Sequence, residues 1–119
     1  MKHQSGRKKL NRAAPHRRSM LRNQAMTLIQ YGHLVTTKAR AQEVRRFTEK
    51  LVTLARQGNT FPVRRMAKSL LPYHDEVLDK LFTEIAPRYV QRPGGYTRII
   101  PLGRRVSDTA AMAKLEWVL

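Results

Sequence analysis

The chain is 119 residues long and carries 24 Lys and Arg against 8 Asp and Glu, a formal net charge of +16, with no cysteine. That length bounds it to one domain with at most a tail, and the missing cysteine excludes disulfides and thiolate metal sites while suiting a reducing cytoplasm. No stretch approaches the roughly 18 apolar residues of a membrane span, and the start lacks the apolar core of a secretory signal.

The charge is uneven. From Met1 to Gln42 there is no Asp or Glu, while Lys2, Arg7, Lys8, Lys9, Arg12, Arg17, Arg18, Arg22, Lys38 and Arg40 are all positive. Residues 1–15 offer almost nothing apolar beyond Met1 and Leu10. They cannot bury enough surface to offset the entropy of ordering their backbone, so a basic N-terminal arm, disordered when free, is expected there. Residues 16–119 are then expected to form a single α+β globular domain. An acid-free, Arg-rich start is also the composition of an organellar transit peptide, but the arm runs into patterned sequence without a break.

A first helix is expected from about Pro15, because Leu21, Ala25, Leu28 and Ile29 fall on one face of a 3.6-residue period. Gly32 is placed to stop it in a left-handed conformation. The β-branched run His33–Thr37 reads as a short strand, and Thr37 as the N-cap of the longest helix, about 38–57. In that helix Val44, Phe47, Leu51, Leu54 and Ala55 mark the buried stripe, with Glu43, Arg46 and Lys50 facing out. Pro62 suits the first turn of a third helix, whose apolar positions are Val63, Met66, Ala67 and Leu70. A fourth helix spans about 75–85, with Val77, Leu78, Leu81, Phe82 and Ile85 inward, and Pro87 ends it. After a basic linker over 88–95, strands at 96–102 and 111–118 alternate at period two, with Ala113, Leu115 and Trp117 on one side. The expected architecture is about four helices packed on a small mixed sheet.

No catalytic constellation emerges. His3, His16, His33 and His74 show no metal-ligand spacing. Asp75, Glu76 and Asp79 at a helix start complement its dipole. Ser19, Ser69 and Ser107 lack a nucleophile-elbow context, and Gly94-Gly95 is a turn, not a phosphate loop. The pattern predicts no enzyme, no cofactor, no metal and no small-molecule substrate.

The basic clusters point instead to a polyanion. Two-thirds of the cations are arginine, whose planar fork matches phosphate and stacks on bases. The candidate RNA-binding residues are Lys2, His3, Arg7, Lys8, Lys9, Arg12, His16, Arg17, Arg18 and Arg22 of the arm and first helix, Arg64 and Arg65 at a helix start, and Arg88, Arg92, Arg98, Arg104 and Arg105 flanking the hairpin. Tyr89 and Tyr96 lie among these arginines and either stack on unpaired bases or pack in the core. The helix pair over 60–85 is a poor helix-turn-helix, since its second helix is acidic.

The run Pro93-Gly94-Gly95-Tyr96-Thr97-Arg98-Ile99, preceded by Lys80-Leu81-Phe82 and Ile85-Ala86-Pro87-Arg88-Tyr89, resembles the signature of the bacterial large-subunit ribosomal protein seventeen family. So do Met1-Lys2-His3, Ser5-Gly6-Arg7, Leu10-Asn11-Arg12, His16-Arg17 and Arg22-Asn23 at the start, Thr36-Thr37 with Glu43-Val44-Arg45, and Met112-Ala113 near the end. Departures are local: an extra basic residue at Lys8-Lys9, Ala14-Pro15 for a serine pair, and Ser107 in place of a glycine. The resemblance implies a structural, non-enzymatic constituent of the large ribosomal subunit, in the cytoplasm. It also implies binding to large-subunit ribosomal RNA near the polypeptide exit region, beside other large-subunit proteins, with Lys2, His3, Arg7, Arg12, Arg17, Arg22 and Arg98 as contacts. The alternative from composition alone is a nucleoid-type basic DNA-binding protein. A membrane-active helix over 16–31 only half meets the amphipathic pattern it needs, and no membrane partner is expected.

Overall fold

The computed structural model of the chain describes residues 14–72 and 74–118; of the arm expected over 1–15, residues 1–13 lie outside them. In chain order the elements are helix α1 (Ala14–Tyr31), strand β1 (His33–Thr37), helix α2 (Lys38–Ala55), helix α3 (Phe61–Leu70), helix α4 (Asp75–Lys80), strand β2 (Thr97–Arg104) and strand β3 (Ala111–Trp117). Ala14 and Pro15 are already helical. The class is α+β.

Gly32 ends α1 with φ +86°, and its N–H donates to the Leu28 carbonyl at 2.9 Å. A side chain at this φ is strained, which is why glycine stands here. The five residues of β1 follow at once. Thr37 then caps α2: its backbone is extended and its hydroxyl accepts from the Arg40 N–H at 3.4 Å. A cap is worth about 1 kcal/mol. Val44, Leu51 and Val52 are fully buried on the same helix, each worth about 1.5–3 kcal/mol, so tertiary packing decides α2.

α2 is central, touching all three strands, α1, α3 and the turns after α4. Its buried stripe is accordingly wider than its apolar spacing, taking in Ala41, Thr48, Val52 and also Glu43, which the sequence placed outward. On α3 the correction runs the other way: Met66 is 60% exposed, leaving Ala67 as the fully buried position.

Helix α4 does not stop at Pro87. Its chain continues as a π turn over Leu81–Ile85 and a 3-10 turn over Ala86–Tyr89. The Ala86 N–H reaches back five residues to the Leu81 carbonyl. This change of register just before Pro87 loosens the turn that a proline ring otherwise collides with. Pro87 then sits at the start of the 3-10 turn, where its missing N–H costs nothing.

The sheet has strand order β1-β3-β2, and both pairings are antiparallel. It was expected to be mixed; because β1 runs against β3, and β3 returns along β2 through a hairpin, no parallel pair forms. Leu34, Leu115 and Ile99 make one inner row across the three strands, and Ala113, Leu115 and Trp117 are buried as the alternation predicts. β2 reaches Arg104 because Leu102 bulges out of register between Pro101 and Gly103. Proline and a bulge fit an edge strand, where a lost ladder bond is tolerated and further pairing is discouraged.

Aromatic residues bind the C-terminal half to the helices. The Trp117 indole N–H donates to the Leu28 carbonyl at 3.1 Å, and the Tyr89 hydroxyl donates to the Val118 carbonyl at 2.6 Å. The Tyr96 ring is 1% exposed and lies 5.2 Å from the Tyr89 ring, centroid to centroid. Its hydroxyl accepts from Arg56 Nη1 at 2.9 Å and lies 3.1 Å from the Thr53 hydroxyl. Arg56 Nη2 also donates to the Val90 carbonyl at 3.0 Å. Glu49 Oε2 accepts from both the backbone N–H and the hydroxyl of Thr97, at 3.1 and 2.9 Å. One face of α2 therefore fixes where the linker ends and β2 begins.

Two outcomes follow from these ties. Tyr96→Phe is expected to lower stability by about 1.5–3 kcal/mol, the usual worth of a hydrogen bond to a charged group; urea unfolding read by Trp117 fluorescence measures it. At the hairpin tip, hydrogen bonding from Arg105 and from the Ala110 N–H holds the Asp108 carboxyl at about 2, below its ordinary 3.8. Its contribution to the loop is present above pH 3.8 and is lost as pH falls toward about 2. An NMR titration of the Asp108 carboxyl should have its midpoint near about 2, moving up toward 3.8 in Arg105→Gln.

Candidate nucleic-acid interface

The described cations divide by what holds them. In one group each is tied to a group of the chain itself. Arg98 Nε lies 2.8 Å from Glu116, which also meets Lys114 at 3.3 Å. These partners hold the Glu116 carboxyl below its usual range, Arg98 first. Arg105 grips Asp108 through two bonds of 2.9 and 2.8 Å. Arg64 is paired with Asp79 and sits over the Phe82 ring, 5.7 Å from its centroid. Lys68 meets Asp75 at 3.0 Å and holds that carboxyl low. Arg104 Nη1 donates to the Thr109 carbonyl at 2.9 Å.

Arg22 belongs to this group too. Its Nε donates to the Leu70 carbonyl at 2.9 Å and its Nη2 to the Ser69 carbonyl at 3.4 Å. A cation on the last carbonyls of a helix both satisfies orphan acceptors and complements the dipole. Through this contact the middle of α1 meets the end of α3, elements that the sequence holds apart.

The second group has no carboxylate within 4 Å among the described residues. Not tied to a carbonyl either, it includes Arg17 and Arg18 at the start of α1, Lys38 and Arg40 at the start of α2, Arg65 on α3, and Arg88 and Arg92 around the 3-10 turn. His16 is exposed next to Arg17. The arm candidates Lys2, His3, Arg7, Lys8, Lys9 and Arg12 lie outside the described residues.

Sequence reasoning passed over Arg46 and Lys50, exposed one turn apart on the outer face of α2. Glu43 was expected to face out beside them. Yet Glu43 is buried, and Glu49 is turned to Thr97, with Arg45 at 3.6 Å. The surface is therefore more basic than its composition; a helical wheel aligned on Val44, Leu51 and Val52 picks out both cations.

Tyr89 and Tyr96 are core residues, so neither ring is available to a base in the folded chain. The acidic side chains Glu76, Asp79 and Glu84 line an open groove beside Gln30 and Tyr31, built by α4 and its π turn against the end of α1. A polyanion is repelled there and drawn to the start of α1, Arg65, the outer face of α2, and Arg88 with Arg92. Among the described residues no helix is long and apolar enough to cross a membrane, and no three His, Asp or Glu are grouped to hold a metal ion.

Comparison with known proteins agrees on one assignment. The family described as Ribosomal protein L17 matches residues 20–118. The protein named large ribosomal subunit protein bL17 from Zymomonas mobilis is 48% identical over 118 residues, covering 99% of this chain and 83% of the relative. Its namesake from Gemmatimonas aurantiaca is 44% identical over 119 residues, covering 100% of this chain and 99% of the relative. A third, from Desulfitobacterium hafniense, is 47% identical over 111 residues, covering 93% and 97%. With this similarity running the length of the fold and its basic surface, the chain belongs to the ribosomal protein L17 family of structural, non-enzymatic constituents of the large ribosomal subunit.

Proposed function

We propose that this protein binds and stabilises large-subunit ribosomal RNA near the polypeptide exit region, in cytoplasmic ribosomes, in contact with neighbouring large-subunit proteins. The observation that carries the RNA reading is that, among the described residues, many cations have no carboxylate within 4 Å, Arg17, Arg18, Arg65, Arg88, Arg92, Arg46 and Lys50 among them. A chain with net charge +16 repels itself, and these groups find counter-charge only outside it. The exit-region location rests on the family resemblance.

The mechanism is charge neutralisation. The basic N-terminal arm passes between RNA helices, with phosphates replacing its counterions. Residues 16–119 act as one domain that sets the distance between two grips. One grip is the arm with the start of α1 and Arg65; the other is Arg88 and Arg92. Arg22, Arg64, Arg98 and Arg105 serve the fold first, and they reach phosphate only as second partners of groups already engaged.

Affinity for a large-subunit ribosomal RNA transcript, measured against salt, tests this reading. With about eight to ten phosphates neutralised, the log–log slope is expected at roughly −6 to −9. Deleting residues 1–13 should flatten it strongly, and Arg88→Gln with Arg92→Gln should flatten it by roughly 0.7–0.9 for each charge removed. Equal affinity for random duplex DNA at physiological salt would favour the nucleoid reading. Unchanged slopes in both variants would remove the two-grip mechanism.

A further inference from the structure

Two aromatic rings are largely exposed among the described residues, Tyr31 at 71% and Phe61 at 78%. They stand in opposite electrostatic surroundings. Tyr31 opens on the groove lined by Glu76, Asp79 and Glu84 against the single cation Lys80, a net negative charge that disfavours the phosphate accompanying any base. Phe61 opens on a second groove of about 510 Å³, lined by Phe61, Pro62, Arg65, Met66 and Ser69 and by no carboxylate.

Phe61, Arg65 and Ser69 are spaced at i, i+4 and i+8, a single stripe of α3. Arg65 is exposed and has no carboxylate within 4 Å among the described residues. At the far end of the stripe, the Ser69 carbonyl is held by Arg22 of α1. Arg22 thus ties α1 to that end of the stripe. An apolar patch rimmed by cations is unlike an ordinary solvated face, because exposing Phe61 and Met66 together forgoes their burial.

We infer that Phe61 and Arg65 form a nucleotide-stacking site, in which an unpaired base of the bound RNA lies on the Phe61 ring while Arg65 meets its phosphate. The inference rests on the RNA-binding reading and adds to it the site of base contact, a role that buried Tyr89 and Tyr96 leave vacant. Stacking on an aromatic face accepts any base, so the site contributes affinity without sequence preference. Met66 and Pro62 supply the apolar floor around the ring, and the absence of carboxylates keeps the local potential positive.

The test compares a large-subunit ribosomal RNA transcript with heparin, a polyanion that has no bases. Phe61 is exposed, so its replacements leave the core intact, and Trp117 emission in the unmodified chain confirms the fold. Phe61→Leu should weaken RNA binding by roughly 5- to 150-fold, the range for losing one base stack, with heparin affinity unchanged and Phe61→Tyr close to wild type. In Phe61→Trp, RNA should quench the added emission and heparin should not; buried Trp117 gives a constant background. Equal RNA binding by Phe61→Leu, with no RNA-specific quenching, overturns the stacking site while leaving the broader reading standing. Absence of RNA binding by the unmodified chain overturns both. Shielding of position 61 in intact subunits but not in the RNA complex assigns the groove to a protein neighbour and also overturns the inference.

Discussion

A net charge of +16 has to be arranged around an apolar core, and the structure follows from how that is done. Bringing unpaired cations to the edge of a low-dielectric interior is costly. The half-buried Arg22, Arg56 and Arg64 are accordingly tied to oxygens of the chain. Arg56 bridges the Tyr96 hydroxyl and the Val90 carbonyl, and Arg22 holds the end of α3. Arg64 joins Asp79 of α4. These ties cross between elements far apart in sequence, so they determine which parts of the surface lie side by side.

The carboxylates are distributed to the same effect. Glu49 faces β2, Glu43 is buried, and Glu116 and Asp108 are occupied by arginines of the hairpin. Exposed surface pairs of this kind contribute little to stability, typically 0–1 kcal/mol. Their larger consequence is subtractive. They cancel some cations and leave others, and the remainder gathers on the α1–α3 side, the outer face of α2 and the 3-10 turn. An acidic groove lies between α4 and the end of α1. A molecule patterned in this way can meet a phosphate surface in few orientations, which suits a component fixed within a particle.

Much of the fold was legible because local signals agreed with packing. Gly32, Thr37 and the period-two run from Ala111 to Trp117 each name their own conformation, and the structure realises all three. The misreadings arose where tertiary contacts overrode the local signal. Pro87 ends an isolated helix, but here a π turn over Leu81–Ile85 followed by a 3-10 turn over Ala86–Tyr89 keeps the chain helical past it. Met66 has the right spacing for a core position, yet among the described residues no neighbouring element covers that side of α3. Glu43 is an ordinary surface residue by composition and is buried because α2 is covered on several sides. The basic clusters were visible as charge; their division into held and free cations was not, since it depends on contacts such as Arg22 with Leu70, 48 residues apart.

The division between held and free arginines is open to direct measurement by arginine-selective chemical modification, read by mass spectrometry on the free protein and on intact large subunits. In the free protein Arg17, Arg18, Arg65, Arg88 and Arg92 should react readily, while Arg22, Arg56, Arg64 and Arg105 react slowly. In the subunit the first set should become protected, with the second set little changed. Continued reactivity of Arg65, Arg88 and Arg92 in the assembled subunit, with new protection confined to the already paired arginines, would contradict the assignment of the free cations to RNA.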